Sequence, residues 1–148
     1  MRPFLRYLLS GVAIWVLVDY TTAFNPDTAR WVQHMPDIWL FYIGYPLIFA
    51  YLIYERKWDN RRLIGSMIVL AFIIEVILSN NSLLYTFPIM LIMNPVAVAI
   101  YSLVTYIPKW FTENTLTRNR NRVAFLVIIW LIVSILNYYT NINKTSIT

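Results

Sequence analysis

Two carboxylates sit inside otherwise apolar runs. Asp19 closes a run that begins near Phe4, and Glu75 interrupts an aliphatic stretch spanning 63–79. An ionisable side chain at the centre of a membrane helix costs roughly 2.5–3.5 kcal/mol on insertion scales, so each demands a reason. Asp19 lies 13 residues after Arg6, and Glu75 lies 13 residues after Arg62. If both arginines mark one membrane boundary, each carboxylate stands ~20 Å along its helix at the usual rise per residue. Asn137, 15 residues past Arg122, reaches ~22 Å by the same rise. The spacing predicts a polar layer of Asp19, Glu75 and Asn137. Asn94 would sit nearer the middle, ~16 Å from the end at Leu83.

Paired carboxylates in such a layer bind a cation or pass protons. Arg30 and His34, just beyond the first run, would add counter-charge and a titrating lid. The plainer alternative puts Asp19 at the outer water interface, because Arg6 can snorkel and let its helix ride up. Glu75 is then packing glue, hydrogen-bonded to Asn137 or a helix hydroxyl, and His34 an interfacial hydrogen-bonder. Both readings stay open on the sequence. No metal or other cofactor is expected, because the chain has one histidine and no cysteine. Thr112, Thr115 and Thr117 beside Glu113 read as an exposed loop that could cap a helix, not as nucleophiles.

The elements that must carry these residues are membrane helices. Of the 148 residues, 59% are hydrophobic and 13% charged, where a soluble domain carries about 25% charged residues. That excludes a disordered tail, a coiled coil and an ordinary water-soluble enzyme. The expected fold is all-α: a polytopic integral membrane protein with five transmembrane helices at about 4–20, 38–54, 63–79, 83–107 and 123–139. The first run has a positive start but a poor cleavage site, so it is expected to remain as a helix and not to act as a signal peptide.

Asn25-Pro26-Asp27 is a helix-start signal, with Asn25 as cap, which predicts a short interfacial helix at about 26–34. Pro36-Asp37 would start the second span. Pro88 and Pro95 fall in the fourth span, where Pro95 should kink the helix near Asn94; broken helices at that depth line substrate sites in transporters. Gly65 and Ser66 suit close helix contact.

Cationic side chains fix the expected orientation. With the N-terminus cytoplasmic and the C-terminus outside, the inner segments hold ten cations: Arg2, Arg6, Arg56, Lys57, Arg61, Arg62, Lys109, Arg118, Arg120 and Arg122. The outer ones hold only Arg30 and Lys144. Trp58 and Trp110 fall at the inner ends, and Trp31, Trp39, Tyr85, Tyr138 and Tyr139 at the outer ends, where amphipathic rings anchor. Basic clusters beside spans face anionic headgroups, so the expected partners are membrane lipids and no nucleic acid. Asn80-Asn81-Ser82 and Asn143-Lys144-Thr145 match the glycosylation acceptor pattern on the outer side.

A multi-pass protein of the cell membrane without catalytic activity is the leading expectation, either an accessory subunit joined to other membrane subunits or a homo-oligomer. One alternative is a small transporter or channel component using Glu75 and Asp19. Another is a membrane-embedded binder or enzyme for a lipid or isoprenoid, with an aromatic cavity under the outer loop and an acid at Glu75 or Asp19.

Overall fold

A computed structural model of the chain describes residues 2–145, without the side chains of 144 and 145. Lys144 and the acceptor triplet that contains it therefore lie outside the described side chains. Among the described residues there are helices and turns and no strand. α1 is Pro3–Asp19, α2 Thr28–Ala50, α3 Asn60–Phe72, α4 Met90–Thr112 and α5 Arg120–Thr145. The first three run on into wider turns with i→i+5 bonding, Tyr20–Phe24, Tyr51–Glu55 and Ile73–Leu78. Among the described residues, four helical stretches are long and apolar enough to cross a membrane: Pro3–Phe24, Thr28–Glu55, Met90–Thr112 and Arg120–Asn143. The helix over 60–78 carries Arg61, Arg62 and Glu75 and falls outside that class.

Local chemistry explains the boundaries. The Asp27 carboxylate caps α2 by accepting from the Arg30 N–H at 2.9 Å, and Asp59 does the same for Arg62 in α3 at 2.9 Å. The cap is thus Asp27, not Asn25. No separate interfacial helix exists over 26–34: α2 runs unbroken through Pro36, which removes only one ladder bond. Trp31 and Tyr42, three turns apart on one face, bridge that proline, the indole N–H donating to the Tyr42 hydroxyl at 3.2 Å.

The fourth run also differs from expectation. Ser82–Leu84 forms a single 3₁₀ turn, and α4 starts only at Met90, because Pro88 lacks a donor and biases Phe87 away from helix. Pro95 consequently lies in the second turn of α4, close to its start and not at mid-helix. Pro108, which the expected span over 83–107 leaves at the start of a loop, is buried inside α4. The helix stops four residues later, at Thr112, where Asn114 turns left-handed (φ 55) and Thr115 N–H reaches back to Trp110 O at 2.8 Å.

α1 packs on α2 and α4, α3 lies on α4, and α5 lies on α4 and the wide turn after α1. The interface follows helical period: Tyr7, Gly11 and Val18 on α1, Tyr42, Tyr45 and Phe49 on α2 with Ile53 in the wide turn after it, and Leu63, Met67 and Ala71 on α3 are buried. At Gly11 a Cβ would meet Pro46 Cβ at 2.9 Å, so only glycine lets these helices approach. At one end of the bundle Arg6 donates to Asn114 Oδ1 at 3.3 Å and Lys109 to Asn60 Oδ1 at 3.3 Å. At the other, Asn141 donates to Asn25 O at 3.1 Å, tying α5 to the connection after α1.

Candidate functional site

Asp19 is the last residue of α1, one turn above Trp15 on the face turned towards α2 and α4. Its Oδ2 accepts from the Tyr42 hydroxyl at 2.7 Å, and that hydroxyl accepts from the Trp31 indole at 3.2 Å. Glu75 lies in the wide turn Ile73–Leu78. Tyr101 of α4 donates to its Oε1 at 2.9 Å and Asn81 to its Oε2 at 3.1 Å. Asn81 is itself fixed, because its Oδ1 accepts from Leu83 N–H at 3.3 Å. Wide i→i+5 turns recur at functional sites, and both acids stand at one.

The two carboxylates line a common cleft of ≈ 350 Å³, walled by Trp15, Tyr42, Tyr101 and Phe41 and reached by His34. A smaller pocket of ≈ 70 Å³ adjoining it is bounded by both acids together with Thr22, Trp15 and Tyr101. Trp15 stacks on Tyr45 at 4.8 Å between ring centroids and meets Tyr101 edge-on at 5.3 Å, which packs this wall of the cleft. Among the described residues the ion pairs are His34–Asp37 and Lys109–Glu113, so neither Asp19 nor Glu75 is in an ion pair, and His34 is the one basic side chain lining their cleft. No group of three metal-ligating side chains occurs among them.

The other residues marked by sequence are distributed differently. Asn137 is not part of the cleft wall; its amide donates to Asn25 O at 3.4 Å. Asn94 lines an adjoining cavity of ≈ 270 Å³ with Glu75. Arg30 is exposed, its guanidinium 5.7 Å from the Phe24 ring centroid, and His34 packs against the same ring at 5.1 Å. Pro88 lies in the connection before α4 and Pro95 within its second turn. Tyr42, Tyr101 and Asn81, which hold the acids in place, and Trp15, which walls the cleft beside them, were not marked as site residues. A signal existed: a tyrosine on the buried stripe of a membrane helix must find a partner for its hydroxyl.

Comparison of the chain with protein-family models, with curated proteins and with solved structures gives no match.

Proposed function

We propose that this chain is a five-span protein of the cell membrane, N-terminus cytoplasmic and C-terminus outside, that binds an organic ammonium ion between Asp19 and Glu75 as a small transporter or part of one. The fifth crossing is the 60–78 helix. Its support is the antiparallel pairing with α4: Asn60 meets Tyr106 and Lys109, Met67 meets Ser102, and Glu75 meets Tyr101. The orientation rests on the basic side chains gathered at the Arg6–Asn114 end.

The observation that carries the binding reading is the pair of carboxylates facing one cleft with neutral hydrogen-bond donors alone. Two charges at that depth need a proton or a cation to offset them. An inorganic divalent ion would want more oxygen or nitrogen ligands. Aromatic walls and a ≈ 350 Å³ volume favour a cation with an apolar body, its charge over Trp15 and Tyr101 and between the acids.

Titration of the detergent-purified full chain with tetraethylammonium, read through tryptophan fluorescence, tests this. Saturable binding is expected, weakened about tenfold or more in Glu75→Gln; equal binding by the variant, or by a neutral isostere of the ligand, overturns it. A second reading, an accessory or self-associating subunit, is favoured by α5, whose membrane window is 6% buried against 33% for Thr28–Glu55. The particle mass of the same sample separates a lone chain from an assembly.

A further inference from the structure

At the basic end of the bundle two hollows run into one another. One is a polar cleft of ≈ 620 Å³ where the end of α4 meets the loop leading to α5, and it is lined by Lys109, Arg118, Arg120 and Arg122 with a single carboxylate, Glu113. That carboxylate stands 3.9 Å from Lys109, and among the described residues no acid pairs with the three arginines. The second hollow, ≈ 630 Å³, is a groove between α3 and α5 floored by Ser102, Tyr106 and Trp110 of α4 and flanked by Ile64, Phe125 and Leu126. Asn60, Trp110, Asn121 and Arg122 border both.

We infer that this end of the protein holds an anionic glycerophospholipid as a bound ligand. Its phosphate headgroup sits among Arg118, Arg120 and Arg122, and one acyl chain lies in the α3–α5 groove. Charge complementarity selects the headgroup, since the uncompensated arginines present forked donors matched to phosphate oxygens. The apolar groove opening from the same rim selects a lipid over a soluble anion, which would leave the groove unused. Trp110, buried at the junction, has the amphipathic ring that settles at headgroup level. The inference uses the membrane embedding of the helices but not the carboxylate cleft, so the two succeed or fail separately.

Native mass spectrometry of the full chain in detergent, titrated with phosphatidylglycerol and with phosphatidylcholine of identical acyl chains, reads the selectivity directly. Phosphatidylglycerol should bind more tightly, and Arg118→Gln with Arg122→Gln should weaken it about 30-fold, each headgroup-facing arginine contributing roughly a factor of five. Ile64→Trp, which fills the groove and leaves every arginine, should weaken both lipids. Arg2→Gln with Arg61→Gln removes the same charge outside the cleft and should change nothing. Equal affinity for the two lipids overturns the site, as does an equal loss in the Arg2/Arg61 control, which would mean diffuse attraction. Displacement of the lipid by glycerol 3-phosphate at matching concentration, or indifference to Ile64→Trp, would make it a soluble-anion site and overturn the lipid.

Discussion

Tyrosine hydroxyls join the helices in two neighbouring regions, with Trp15 between them. In the lower region Tyr7 donates to Thr105 O at 3.0 Å, and the Tyr45 hydroxyl pairs with Thr105 Oγ1 at 2.8 Å, all of it buried. In the upper region Tyr42 and Tyr101 donate to Asp19 and Glu75. The geometry is alike, but the acceptors are not. Around Thr105 every partner is neutral and the group is complete as it stands. Around Asp19 and Glu75 the same donors meet acidic groups, and two ionisable side chains are left facing an open cleft. Completed polar groups in an apolar bundle hold helices together, whereas an incomplete one marks where a ligand belongs.

That contrast breaks most readily at the lower region. Gly11→Val should be the most damaging single change, since even its Cβ would fall 2.9 Å from the Pro46 ring. Overpacking against a rigid ring should cost about 2–3 kcal/mol. Thr105→Val comes next. It keeps the shape but strands the buried Tyr45 hydroxyl without its partner, at a cost of about 1–2 kcal/mol. Unfolding of the detergent-purified variants, followed by tryptophan fluorescence, measures both. A loss under a few tenths of a kcal/mol for Thr105→Val would remove the distinction between the regions.

How legible these regions were in the sequence differs in the same way. Hydropathy carried the all-helical membrane character, because a run of apolar residues has the same meaning wherever its neighbours lie. Prolines misled at three points. Pro36 and Pro108 read as boundaries yet lie inside helices, whereas Pro88 read as part of a span and lies before its helix. The cost of a missing donor is local, while the packing that offsets it, such as the Trp31–Tyr42 bridge, joins residues 11 apart. Asp19 and Glu75 stood out because charge in an apolar run is conspicuous. Their positioning groups did not, since a tyrosine in a membrane helix looks the same facing lipid, an interface or a carboxylate. Rise along a helix placed Asn137 at the height of the acids, but rise says nothing about facing, and Asn137 turned towards Asn25.

The smallest expected effect sharpens the comparison most. Asp19→Asn keeps a carbonyl oxygen for the Tyr42 hydroxyl and turns an amide into the cleft, so the hydrogen bond at 2.7 Å survives while the charge goes. Glu75→Gln is less clean, because Asn81 donates to the second oxygen and cannot turn over without releasing Leu83 N–H. If the carboxylate is kept for a ligand, its removal should leave the empty protein more stable by about 0.5–1 kcal/mol, the usual sign where a functional group is held against the fold's own preference. The same variant should bind tetraethylammonium weakly. Stability gained with binding lost is a pairing that no packing role produces. Should Asp19→Asn instead destabilise as much as Thr105→Val, the two tyrosine groups are one structural device, and the charge at Asp19 belongs to the scaffold.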